Sequence, residues 1–150
     1  MSPNQPFFRA ACQADISRLV ALDNSATPTP WSEQNFRDSL HSKDQCWILE
    51  NNNAIIASGI VSLVMDEASL LNITVCPDYQ GQGLGRKMLE FLMSESLRRG
   101  ASVCFLEVRE SNKAAIALYI SSHFSQVGIR KNYYQLQGRG ENALVMKREL

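Results

Sequence analysis

The sequence predicts one mixed α/β domain, and three observations carry that reading. Apolar runs of strand length, rich in β-branched residues, occur in both halves of the chain. From Leu84 the apolar period becomes helical, with Leu84, Met88, Phe91 and Leu92 on one face and Lys87, Glu90, Ser94 and Arg98 on the other. The third is size: 150 residues, 45% apolar and 20% charged, is the length and mixture of one globular core. A strand, a helix and a strand in succession, across residues 69–108, require a crossover and hence a locally parallel pair.

The elements follow in order. Residues 7–11 read as a short strand, and Asp15 stands as an N-cap before Ile16, Leu19 and Val20, in a helix ending near Asn24. Pro28 and Pro30 interrupt the chain, after which Ser32 caps a short helix with Phe36 and Leu40 inward and Glu33 in its first turn. Strands at 46–49 and 54–64 flank Asn51, Asn52 and Asn53, whose side chains tolerate left-handed turns, so a hairpin is expected. Asp66 and Glu67 make the next turn, and a strand at 69–75 is stopped by Pro77. The long helix ends at Arg98, Arg99 and Gly100, two cations and a C′ glycine. A strand at 103–108, a helix at 112–122 and strands around 127–129 and 143–146 complete the chain.

Composition narrows the function. Fifteen basic and fifteen acidic side chains give zero formal charge, which argues against direct nucleic-acid binding. No apolar run approaches bilayer-spanning length, and Met1-Ser2-Pro3-Asn4-Gln5-Pro6 has neither basic n-region nor apolar h-region, so no membrane association and a cytoplasmic location are expected. Cys12, Cys46, Cys76 and Cys104 are widely spaced, with His41 and His123 the remaining soft ligands, and no metal site is expected. Reduced, core-packed thiols are the expectation for the cysteines within strands.

The informative segment is Gln80-Gly81-Gln82-Gly83-Leu84-Gly85-Arg86, between a strand and the long helix. Three glycines within five residues clear side chains from one surface of the loop. Amides at a helix N-terminus, backed by the dipole and Arg86, suit a phosphate or pyrophosphate. The segment lacks the Lys-Ser/Thr ending of a P-loop, and its glycine spacing is not that of dinucleotide-binding folds.

Gln80, Gly83 and Gly85 follow the pattern Q-x-x-G-x-G, which resembles the coenzyme A pyrophosphate loop of the GCN5-related N-acetyltransferases. The likeness covers nearly the whole chain. Residues 72–80 resemble the family's fourth strand entering that loop, Leu106-Glu107-Val108-Arg109 its fifth strand, and residues 111–119 the helix bearing its tyrosine. The resemblance implies one acetyltransferase domain across residues 1–150: a mixed, mostly antiparallel sheet with a central parallel pair, flanked by about four helices. Pro30-Trp31-Ser32-Glu33, Asp66-Glu67-Ala68 and Arg130-Lys131-Asn132-Tyr133-Tyr134 resemble the bacterial branch that acetylates the N-terminal alanine of a small-subunit ribosomal protein. That branch's partner is the protein N-terminus, and its cosubstrate is acetyl-CoA. The chain departs from the family at His123, where glycine is common before Phe124, which bears on a helix end rather than on the chemistry.

The resemblance also implies roles. The pantetheine arm would lie against Ile73, Thr74 and Val75 as an added strand, with the Val75 amide polarising the thioester carbonyl. The pyrophosphate would sit on Gly81, Gln82, Gly83, Leu84, Gly85 and Arg86. Threonine at 74 and glycine at 81 are expected to be tolerated, since the contacts there come from backbone. Glu107 would be the general base and Tyr119 the general acid; the alternatives are a glutamate that faces solvent or pairs with Arg109, and a core tyrosine. Asn112 has two readings, a cofactor contact and a helix cap. Tyr133 and Tyr134 either line the acceptor groove or pack. At pH 7 roughly a tenth of an α-amine is neutral, against well under a thousandth of a lysine amine, which suits a weak carboxylate base. Alternatives are transfer to a protein lysine or small amine, and a non-catalytic acyl-CoA-binding module.

Overall fold

The computed structural model describes residues 5–136 and 139–150. Residues 1–4, part of the opening read above as lacking a leader pattern, lie outside the described residues. Seven strands form one sheet: β1 (Phe7–Ala10), β2 (Gln45–Asn51), β3 (Ala54–Val64), β4 (Glu67–Val75), β5 (Val103–Arg109), β6 (Ser125–Leu136) and β7 (Arg139–Glu149), in the order β1-β2-β3-β4-β5-β7-β6. The helices are α1 (Ile16–Ala26), α2 (Glu33–His41), α3 (Leu84–Arg98) and α4 (Lys113–Ser121). The β4–β5 pair is parallel and the other pairs are antiparallel. This is the mixed sheet the sequence predicts, with α3 as the crossover.

Strand alternation divides the core in two. Leu49 and Ile56 pack with Met88, Leu89 and Leu92 of α3 and with Tyr119 of α4. Their neighbours Ile48 and Ile55 pack with Ile16, Leu19 and Leu22 of α1 and Phe36 of α2. The sheet is therefore sandwiched, α1 and α2 on one face and α3 and α4 on the other. Burial pushes the Cys46 and Cys104 thiols up to about 12, so both are neutral thiols of the core. No helix among the described residues is long and apolar enough to cross a membrane.

The boundaries differ from expectation in instructive ways. Asp15 does not cap α1 with its side chain; a short 3₁₀ turn at Gln13–Asp15 intervenes, and the carboxylate accepts from the Cys12 amide and the Arg9 guanidinium. The hairpin before β4 turns at Met65, which takes a positive φ of 57°, so the strand starts earlier, at Glu67. Helix α1 runs two residues past Asn24, to Ala26. The last two strands are much longer than their apolar cores suggest, because β6 carries bulges after Gln126 and after Arg130 that break its alternation.

Candidate active site

The site begins with a bulge. Ile60 pairs with Asn72 and Val61 with Leu70, which leaves Leu71 as an extra residue in β4. Bulged strands bend. Pairing of β4 with β5 stops at that point, its last pair being Leu70 with Leu106. Beyond it, residues 72–75 stay hydrogen-bonded to β3, while Glu107, Val108 and Arg109 stay with β7. The parallel pair thus splits, and a cavity of about 610 Å³ opens in the gap, a size suited to a small-molecule ligand.

The edge of β4 that faces the gap offers unused backbone groups. The Cys76 amide donates to Ile56 in β3. Successive strand amides point to opposite edges, so the Val75 and Ile73 amides point towards the gap. Gln80 Nε2 donates to the Val75 carbonyl at 3.1 Å, tying the loop to the end of the strand.

The loop arrives at α3 through two left-handed residues, Gly81 and Gly83, each with φ of 80°. A side chain at either would meet no atom within 4 Å, so backbone conformation, not crowding, demands glycine. Gly83 is the N-cap and brings no side chain to the first-turn amides, which lack acceptors within the helix. A diphosphate fits such an end. At Gly85 the reason is different: a Cβ would come within 3.3 Å of Leu118, so its absence lets α3 approach α4. Arg86 departs from expectation. Its guanidinium donates to Ser121 Oγ at 2.6 Å and to Ser122 Oγ at 3.3 Å, at the end of α4, and does not line the cavity. Its amide remains in the first turn of α3. Gln82 is exposed and also outside the cavity lining.

The cavity walls hold Ile73, Thr74, Val75, Gly81, Gly83, Leu84, Gly85, Glu107, Asn112 and Tyr119 together. Cys104, Leu106 and Val108 point into the core below α3 and α4, so Glu107 faces the opposite side, towards α1 and α2. Its partner is not Arg109 but Arg130, whose Nε lies 3.0 Å from Glu107 Oε1. The charge of the same carboxylate raises the Tyr133 hydroxyl above its ordinary value. The bulge of β6 between Arg130 and Tyr134 turns these side chains towards Glu107. Tyr134 lines the cavity itself.

Tyr119 approaches from the other face. It is 6% exposed, and burial foremost, then the neighbouring Tyr134, holds its hydroxyl well above the ordinary phenol value. The end of α4 fixes it. The Phe124 amide donates to the Tyr119 carbonyl and the His123 amide to that of Ile120, a Schellman closure, with the Phe124 ring edge-on to Tyr119 at 5.8 Å. Asn112 is a helix cap: its Oδ1 accepts from the Ala115 amide at 3.2 Å while the residue lines the cavity.

One residue escaped the sequence reading. Asp23 of α1 is fully buried and accepts from Thr74 Oγ1 at 2.8 Å, Asn72 Nδ2 at 2.9 Å and the Trp31 amide at 3.0 Å. The Thr74 side chain is therefore engaged, contrary to the expectation that backbone alone matters there. The signal was present: Ile16, Leu19 and Asp23 share one helical stripe, and a carboxylate on an apolar stripe needs partners.

A split parallel pair beside a glycine-lined helix N-terminus defines an acyl-coenzyme A transferase architecture, and the chain belongs to the acetyltransferase (GNAT) family, whose model matches residues 16–124. Its relatives are more particular. It is 42% identical over 132 residues to the [ribosomal protein bS18]-alanine N-acetyltransferase of Escherichia coli strain K12, covering 88% of this chain and 89% of that protein. The Haemophilus influenzae protein of the same name is 40% identical over 133 residues, covering 88% and 90%. The crystal structure of the E. coli ribosomal-protein-S18-alanine N-acetyltransferase superposes with a TM-score of 0.91 at 39% identity, over 97% of this chain and 94% of that one.

Proposed function

We propose that the protein transfers the acetyl group of acetyl-CoA to the N-terminal α-amine of an alanine on a small-subunit ribosomal protein, with Glu107 as general base and Tyr119 as general acid. The relatives' names support this acceptor. The observation that supports the roles is one gap through the sheet, with a carboxylate on the face towards α1 and α2 and a buried phenol on the other. When bound, acetyl-CoA supplies an acyl carbon activated as a thioester. The pantetheine would pair along the free edge of residues 73–75, with the Val75 amide towards its carbonyl, and the pyrophosphate would rest on the amides of residues 81–86. Asn112 serves as a further cofactor contact from the cap of α4.

Glu107 takes the proton of the incoming ammonium, directly or through water. Arg130 holds that carboxylate in place until the amine arrives. The raised Tyr119 hydroxyl keeps its proton throughout the neutral range and gives it to the departing sulfur. A ribosomal acceptor implies a cytoplasmic protein, acting as a single domain over residues 1–150.

The test pairs an acceptor panel with two variants. An alanine-starting peptide is expected to be acetylated far faster than its N-blocked, lysine-containing analogue or a polyamine; preference for either of those shifts the acceptor class. Glu107→Gln and Tyr119→Phe should each lower turnover about 10²-fold or more, with acetyl-CoA affinity by calorimetry changed only a few-fold. Unchanged turnover in both variants overturns the roles. Tight acetyl-CoA binding with no transfer to any acceptor would make the chain an acyl-CoA-binding module.

A further inference from the structure

Residues 72–75 of β4 are the part of the central sheet held along one edge only, by β3. A strand in that position lacks half its hydrogen bonds, yet it forms one wall of the cavity. Asn72 and Thr74, two residues apart, share a face, and both side chains end on Asp23. The same carboxylate receives the Trp31 amide, from the loop between α1 and α2 that carries Thr27, Thr29 and Trp31 into the cavity lining. Pro30, just before it, has no amide to offer. On its other side Trp31 packs against Phe36 of α2, ring centroids 5.3 Å apart.

A carboxylate at 0% exposure is expensive unless its acceptor sites are filled. Among the described residues no cation pairs with Asp23, and three neutral donors do that work. Those donors come from the two cavity walls. An apolar residue would fill the same space without the desolvation penalty, but it would join nothing.

Resting on the function proposed above, we infer that Asp23 is a positioning residue for acceptor binding: it clamps the α1–α2 loop to the free half of β4 and so sets the spacing of the walls that receive the amine. It touches no reacting atom. Its loss should therefore appear in the acceptor KM and not in the chemical step.

Steady-state kinetics with the alanine-starting peptide, and calorimetry with acetyl-CoA, test this on Asp23→Asn, Asp23→Ala and Thr74→Val. Asp23→Asn keeps an oxygen for the Trp31 and Asn72 donors, while its NH₂ donates to the Thr74 hydroxyl, which turns from donor to acceptor; acceptor KM should stay within about threefold. Asp23→Ala should raise acceptor KM tenfold or more, with kcat at saturation and the acetyl-CoA Kd each within about threefold. A folded Asp23→Ala protein with unchanged KM, one whose loss lies in kcat, or an Asp23→Asn protein as impaired as Asp23→Ala overturns the inference. If Asp23→Ala does not fold, Thr74→Val decides. It leaves the Trp31 bond to Asp23 intact, yet a clamp acting as one unit should lose protection against hydrogen exchange at the Trp31 amide. Unchanged exchange there overturns the clamp. That readout needs no acceptor, so a wild-type protein inactive on the alanine peptide would refute the proposed acceptor while the clamp is still judged.

Discussion

His123 sits at φ 72°, in the left-handed region that glycine enters freely, just beyond the end of α4. Histidine there bears about 1 kcal/mol of strain that glycine does not. The exposed side chain leaves room for the exchange, so His123→Gly should raise unfolding free energy by up to about 1 kcal/mol, read by urea denaturation. Turnover should not change, because the two closing hydrogen bonds that hold Tyr119 come from backbone. Asp15 offers a test by pH. The Arg9 guanidinium at 2.8 Å, foremost, and the Cys12 amide hold its carboxyl well below the usual carboxylate range. A depressed folded value means the stabilisation is fully present above the unfolded value, near 4, and is lost as pH falls through the folded one. Asp15→Asn should therefore flatten the decline in stability between pH 5 and pH 2, and a decline as steep as wild type's would refute the linkage. Tyr119 has the opposite sign: its raised value keeps the phenol protonated past its ordinary value of 10, so acid loss at Tyr119 should add no falling limb to turnover below about pH 10.

Among the elements, the glycine loop and α3 were legible because local geometry decides them. Two left-handed residues, an uncapped helix end and an apolar stripe are all short-range properties. Gly83→Ala should cost about 1 kcal/mol in stability for its left-handed φ, read by urea denaturation, because the backbone and not crowding demands glycine there. Gly59 in β3 makes a complementary case, at the sheet surface. A Cβ there would lie 2.4 Å from Leu92 Cδ1, under the centre of α3. Gly59→Ala should then lower stability by about 1–3 kcal/mol through overpacking while leaving acetyl-CoA affinity intact. The bulge at Leu71 had no such local signature. Residues 69–75 read as one ordinary strand, because an extra residue is defined only against the partner strand. The two last strands were read around 127–129 and 143–146, but their full length was missed for the same reason, the two bulges of β6 having erased the alternation by which strands are recognised.

For the whole molecule, a ligand that fills the split should stabilise the fold by binding the native state alone. At a hundredfold excess over Kd, acetyl-CoA should add about 2.7 kcal/mol, raising Tm by roughly 5–10 °C for a chain of this size. Thermal unfolding with and without acetyl-CoA checks this, and no shift would argue against the gap as the donor site. The sequence by itself determined the mixed α/β class, the crossover helix, the glycine turn that leads into it and the chemical types at Glu107 and Tyr119, because period, glycine spacing and side-chain chemistry are written along the chain. Only the tertiary structure decided that β4 leaves β5 after Leu70, that Arg130 and not Arg109 meets Glu107, that Arg86 turns to the end of α4, and that Asp23 joins two walls. Each of these joins residues far apart in sequence, and such a pairing is selected by the fit of packed surfaces and the need to satisfy buried polar groups, neither of which exists until the chain has folded.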